Sequence, residues 1–386
     1  MILAVPKETF PGERRVALVP GVLPQLLKAG FEVVVQSGAG LGAGIADADY
    51  QARGARVEPD RAALIAGADV LLMVRTPGAN PGPGRDDIAL LRSGQVLIGL
   101  ADPTADPAVA QAVAATGAAL FALELIPRIS RAQGMDVLSS MATLAGYKAV
   151  LLAADHLPKM FPMLMTAAGT VAPARVFVVG VGVAGLMAIA QARRLGAVVE
   201  AYDVRPAVRE QVQSLGAKFV EMELDAGDAE DQGGYAKALG EEFYRRQREL
   251  MARVVAASDV VITTAAVPGR KAPVLVTAEM VRAMQPGSVV VDLAAATGGN
   301  CELTRPDETV TDHGVTILGP TNAPSDLAVD GSRMYAKNVT AMLLNMSQGG
   351  VVDIHKDDEI VAGTCVARDG KVVHPLVLER LDRGGA

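Results

Sequence analysis

The residues best placed to do chemistry are three glycines and an aspartate. Gly180-Val181-Gly182-Val183-Ala184-Gly185 follows an apolar run, residues 174–180, and leads into a helical stretch through Arg194. In that spacing the first glycine allows a tight turn, the second admits a pyrophosphate to the backbone, and the third lets helix pack on strand. The amides of Val183 and Ala184, at the helix start, then face the phosphates. Asp203 ends the next apolar run, roughly twenty residues on, where a carboxylate accepts hydrogen bonds from an adenosine ribose. The same charge repels a 2′-phosphate, which favours NAD(H) over NADP(H), while Arg205 nearby works the other way. Thr264, Ala265 and Ala266 leave a further apolar run, residues 259–262, at what would be the same carboxyl edge of a sheet. They would lie near the ribose or the nicotinamide, or else form an ordinary strand exit.

A second polar run, residues 127–140, carries Arg128, Arg131, Gln133, Asp136, Ser139 and Ser140. Such groups hold a carboxamide and a ribose by charge-assisted hydrogen bonds. An Arg–Asp contact tying two domains together accounts for them equally well. Residues 225–235 are acidic and glycine-rich and end in Tyr235. They could close as a lid over a bound nucleotide, although the residues alone favour a solvated loop. No metal site is expected, because Cys301 and Cys365 are isolated and no metal-ligand spacing occurs.

The elements that must position these groups follow a rhythm. Helical stretches end in small residues with glycine, at Gly30, Gly54, Gly117, Gly196 and Gly216, and a β-rich run follows each. The runs are short and continuously apolar, as in residues 176–179, 260–262 and 289–291, which implies strands covered by helices on both faces. The expected fold is therefore α/β: two doubly wound, parallel-sheet, Rossmann-like domains joined by long helical segments, with NAD(H) in the cleft between them. Residues 137–168 read as the helical bridge. Residues 332–346 read as a helix, and 361–367 with 371–373 as a hairpin around Asp369-Gly370. These last residues are expected to fold back on the first block, giving domains 1–137 with 330–386, and 138–329.

Bulk composition narrows the function. The net charge of −7 argues against nucleic acid as a partner. The N-terminus meets charge too early for a signal peptide, and the apolar stretch 149–168 contains Asp155, His156, Lys159 and two prolines, unlike a membrane span.

Taken together, these motifs resemble the alpha subunits of the proton-translocating NAD(P) transhydrogenases, over essentially the whole chain. Val5-Pro6-Lys7-Glu8 with residues 13–17 is shared with the related alanine dehydrogenases, whereas 127–140 continuing into Leu144-Ala145-Gly146-Tyr147 is more specific. The resemblance implies that Arg128, Gln133, Asp136 and Ser139 surround the nicotinamide, and that Gly233-Gly234-Tyr235 is the tip of a mobile loop. It also implies a homodimer, with NADP(H) held on a partner subunit and proton movement in membrane-spanning subunits on separate chains. This chain would then be cytoplasmic, peripheral on the inner face of the cell membrane through its partners.

Alanine dehydrogenase is the alternative that keeps fold and cofactor. Its substrate chemistry needs a lysine and a histidine. Here Arg75 stands in Met73-Val74-Arg75-Thr76-Pro77 at the lysine's place, and residues 98–101 contain no histidine. Arginine keeps its proton and serves poorly as acid or base. Direct hydride transfer between two nicotinamides needs neither group, only rings held in contact with water excluded. A nucleotide-binding module without catalysis is the third reading, and the polar 128–139 segment speaks against it.

Overall fold

A computed structural model describes residues 1–221, 241–266 and 271–384. In chain order the first strands are β1 (Ile2–Val5), β2 (Glu32–Gln36), β3 (Arg56–Glu58), β4 (Val70–Arg75), β5 (Val96–Leu100) and β6 (Ala119–Ala122). A small hairpin follows, β7 (Leu164–Thr166) and β8 (Gly169–Val171). Next come β9 (Arg175–Val179), β10 (Val198–Tyr202), β11 (Lys218–Phe219), β12 (Val260–Thr263), β13 (Val289–Asp292), β14 (Thr309–Asp312) and β15 (Val315–Leu318). The chain closes with β16 (Ser347–Gln348), β17 (Val351–Val352), β18 (Cys365–Arg368) and β19 (Lys371–Val372).

Contacts divide the chain into two units, Met1–Met141 with Ser325–Ala386, and Ala142–Pro324. The first unit holds an eight-stranded sheet in the order β19-β18-β6-β5-β4-β1-β2-β3. Six of these strands run parallel in the 3-2-1-4-5-6 order of a doubly wound sheet. β18 then adds antiparallel to β6, and β19 to β18, so the end of the chain completes the sheet begun by its start. Ala4, Leu71, Leu97, Leu120 and Val366 share one core with Val377 of the final helix, Pro375–Gly384.

The second unit repeats the order as β11-β10-β9-β12-β13-β15, with β14 antiparallel at the edge. Its strands show why their sequences are apolar without alternation. Val176 and Val178 of β9 pack into one core with the helix Val183–Arg194, while Phe177 and Val179 pack into another with the helix Glu241–Ala256. Both faces are covered, so both must be apolar. Gly196 ends the helix Val183–Arg194 at φ +91° and turns the chain into β10, because a residue without a Cβ takes that conformation without strain.

Two expectations about elements are corrected. Residues 137–168 do not form one helical bridge: the helix runs Val137–His156, and β7 and β8 follow. Pro158 and Pro162 lack the amides a continuing helix needs. By length and composition Val137–His156 could cross a bilayer, but Ala149, Val150 and Ala153 on it are fully buried in the second unit's core. Near the C-terminus, Glu359–Thr364 is helix rather than the first arm of a hairpin. The Asp358 side chain accepts from the amides of Ile360 and Val361, an N-cap that overrides the β-branched residues after it. Only β18 and β19 form the hairpin around Asp369-Gly370.

Candidate functional site

The glycine turn lies at the carboxyl ends of β9 and β12, the neighbours at which the strand order of the second sheet reverses. That is where ligands bind in open parallel sheets. Each glycine has its own steric reason. Gly180 sits at φ +93°, and a methyl there would stand 2.8 Å from Thr264 Oγ1 and 3.0 Å from the Ala265 amide. A methyl on Gly185 would stand 1.9 Å from the Gly180 carbonyl oxygen, so this glycine seats helix on strand. Gly182 has nothing within 4 Å of its would-be Cβ. It faces open space, and no side chain caps the helix that starts beyond it at Val183. Gly146 explains another motif residue, since a methyl on it would meet the Ala184 carbonyl at 2.1 Å.

Asp203 directly follows β10 and is joined to the turn. Its Oδ2 accepts from the Val181 amide at 2.7 Å and from Arg205 Nη2 at 3.0 Å. Its Oδ1 accepts from the Arg205 amide and from Arg205 Nε, both at 2.9 Å. The carboxylate is therefore bound to protein donors at the place where a ribose is expected.

Thr264, Ala265 and Ala266 leave β12 beside the turn. Thr264 Oγ1 donates to the Gly180 carbonyl at 2.9 Å. Two residues that sequence reasoning missed hold this exit. Asn300, fully buried, accepts from the Ala265 amide at 2.9 Å and donates to the Ala265 and Pro273 carbonyls at 2.8 Å. Asp292, also fully buried, accepts from Thr263 Oγ1, Thr304 Oγ1 and the amides of Ala294, Asn300 and Cys301. The only trace of them in the sequence is an Asp ending an apolar run and an Asn after two glycines. Burial pushes the Cys301 thiol up to about 11, so it offers no thiolate.

In the first unit, the run 127–140 forms a 3-10 turn, Ser130–Met135, leading into the helix Val137–His156. Asp136 and Ser139 meet: Asp136 accepts from the Ser139 amide at 2.9 Å and from its hydroxyl at 2.6 Å, which caps the helix. Arg128 and Gln133 are exposed. Arg131 is engaged elsewhere, with Asp358 at 2.7 Å and Glu359 at 3.3 Å. Tyr235, with its acidic stretch, lies outside the described residues.

Comparison with known proteins agrees with this geometry. Residues 4–145 match the alanine dehydrogenase/PNT N-terminal domain and residues 149–375 the corresponding C-terminal domain. The chain is 49% identical over 380 residues to the first of the chains that make up NAD(P) transhydrogenase subunit alpha in Rhodospirillum rubrum, covering 98% of this chain and 99% of that one. The chain belongs to the alanine dehydrogenase/PNT family, on its transhydrogenase alpha branch. A solved transhydrogenase structure from Sinorhizobium meliloti superposes with a TM-score of 0.84 at 45% identity, covering 97% of this chain and 99% of that chain. Alanine dehydrogenase of Halomonas elongata is 32% identical over 386 residues, covering 98% of this chain and 96% of it.

The alanine dehydrogenase/PNT chains share one further region, and here it is closed. Arg15 Nε and Nη2 grip the two Glu13 oxygens at 2.7 and 2.6 Å, and Arg75 Nε adds a contact at 3.1 Å. Burial would raise the Glu13 carboxyl, but the two arginines hold it at about 2. Arg75 also lies 4.0 Å over the Phe10 ring. At Gly99 a methyl would stand 2.5 Å from the Met73 carbonyl oxygen, so no side chain fits there. The position that alanine dehydrogenase chemistry needs for a lysine is thus filled by an arginine bound to an internal carboxylate.

Proposed function

We propose that this subunit binds NADH and passes its hydride directly to NADP+ held on a partner subunit, linked to proton movement through membrane-spanning subunits. NADH is oxidised and NADP+ reduced, and the hydride is the only group transferred. The observation that carries this reading is the open turn at Gly182, set at the reversal of strand order and followed by an uncapped helix start. It can take a pyrophosphate on its amides. When bound, the dinucleotide supplies the hydride, and the protein supplies position and shielding.

In this reading Gly180, Gly182, Val183, Ala184 and Gly185 receive the pyrophosphate, while Asp203 and Arg205 face the adenosine ribose. Thr264, Ala265 and Ala266 line the same strand ends. Arg128, Gln133, Asp136 and Ser139 hold the nicotinamide end, and Tyr235 closes over the ligand. The pairing of Arg75 with Glu13 favours direct transfer over amino-acid dehydrogenation, since neither residue can shuttle a proton at neutral pH. The location we assign is the cytoplasmic face of the cell membrane, held there by the partners.

The homodimer belongs to the same proposal. β7 and β8 pair only with each other among the described residues, and no charge occurs between Lys159 and Arg175. Met165 is 75% exposed, and Leu164 and Val171 are exposed beside it. We place a second copy of the chain on this hairpin.

The deciding experiment follows NADH oxidation by the purified chain, first with pyruvate and ammonium, then with NADP+ and the membrane and NADP(H)-binding subunits. Turnover only in the second mixture is expected. Steady oxidation driven by pyruvate and ammonium would replace this reading with an amino-acid dehydrogenase.

A further inference from the structure

We infer that Arg205 is a latent 2′-phosphate binder, and that the ion pair Asp203–Arg205 sets the coenzyme preference of this site. The inference rests on the assignment of the glycine turn to a dinucleotide and refines it.

Asp203 is fixed to the turn by the Val181 amide at 2.7 Å, which places its carboxylate at the ribose corner. Four N–H groups converge on its two oxygens: the Val181 amide, the Arg205 amide, Arg205 Nε and Arg205 Nη2. A carboxylate offers about four lone-pair sites, so a ribose hydroxyl gains a bond only by displacing one of these donors. Arg205 Nη2 reaches the Val181 carbonyl as well, at 3.2 Å, so the guanidinium lies on the rim of the turn. Little of either side chain meets solvent, 16% for Arg205 and 7% for Asp203.

A guanidinium fork suits a phosphate through two parallel N–H contacts. Here the Nε–Nη2 edge of that fork is occupied by Asp203. An arriving 2′-phosphate therefore meets two obstacles, the carboxylate charge and a guanidinium already engaged. Replacing one carboxylate oxygen with an amide nitrogen removes the charge. It keeps an oxygen able to accept from the Val181 amide, and it leaves the Arg205 fork to the phosphate. The choice between coenzymes thus depends on both members of the pair.

The test uses the purified chain, whose lack of tryptophan leaves coenzyme fluorescence without background. Dissociation constants for NADH and NADPH are measured for the parent, Asp203→Asn, Asp203→Ser, Arg205→Ala and Asp203→Asn with Arg205→Ala. We expect Asp203→Asn to bind NADPH about tenfold more tightly than the parent, with a larger gain at low salt. The double variant should lose that gain, and Arg205→Ala alone should show none. Asp203→Ser, with a smaller acceptor for the Val181 amide, is the companion should the asparagine disturb the turn. Either folded variant that binds NADH but holds NADPH no better than the parent overturns the inference. A gain that survives removal of Arg205 overturns it too. A parent that binds neither coenzyme would instead count against the dinucleotide reading itself.

Discussion

At Asp136 the carboxylate already accepts from the amide and hydroxyl of Ser139 and so caps the helix Val137–His156. A nicotinamide-positioning role must coexist with that cap, and two substitutions separate the roles. Asparagine caps about as well as aspartate, whereas alanine in that place costs about 1 kcal/mol. Asp136→Asn should therefore keep the parent's melting temperature and NADH affinity while slowing hydride transfer with the partner subunits. Asp136→Ala should lower the melting temperature as well. An asparagine variant that transfers hydride at the parent's rate would reduce Asp136 to a helix cap. Some of this segment was legible in the sequence, because its polar residues lie within a few positions of one another. The cap was not recognised there, since an Asp three residues before a Ser fits equally a binding loop and a helix start.

The element that makes the site is the β9-turn-helix unit, and its glycines predict different failures. Gly185→Ala drives a methyl to 1.9 Å from the Gly180 carbonyl oxygen. Overpacking of this kind costs about 1–3 kcal/mol or more, so the variant should melt lower and bind NADH poorly. Gly182→Ala meets nothing within 4 Å, so it should melt like the parent. Yet its methyl stands where the backbone must approach a pyrophosphate, and NADH affinity should drop. Differential scanning fluorimetry beside coenzyme fluorescence distinguishes the two. Equal NADH affinity in Gly182→Ala and the parent would mean that the ligand does not use this turn.

For the whole molecule, the internal carboxyls of the first unit set a pH profile. Burial pushes Glu8 up to about 8 and Glu124 up to about 7, both from 4.5. Their folded values lie above the unfolded ones, so their contribution is complete below about pH 4.5 and is lost as pH rises through 7 to 8. Glu13, held at about 2, has the opposite sign: its contribution is present above about 4.5 and is lost as pH falls towards 2. Thermal stability should therefore peak near about pH 5 and decline on both sides. Glu124 Oε1 accepts from the Ala101 and Asp102 amides, while its buried Oε2 has no partner among the described residues. Glu124→Gln puts an amide nitrogen at Oε2 and should flatten the alkaline decline in melting temperature. An unchanged slope would show that Glu124 does not titrate there. The homodimer is tested at the same scale: Leu164→Asp with Met165→Asp should convert a dimer to a monomer in light scattering, and a persistent dimer would move the contact off the β7–β8 hairpin.

Local chain geometry was written in the sequence by itself. The glycine spacing, the continuous apolar strands and the glycine helix stops depend on residues a few positions apart and on backbone rules that hold in any fold. They were enough to read two doubly wound sheets, a dinucleotide turn and the family resemblance. Tertiary structure alone decided which polar groups meet. Asn300 holds Ala265 across 35 positions, and Arg75 reaches Glu13 across 62. Asp203 and Arg205 were visible as neighbours, but only the fold brought the Val181 amide to the same carboxylate across 22 positions. Hydrogen bonds and ion pairs act over a few ångströms, and the sequence does not specify which distant groups come within that range until the sheets and helices have packed.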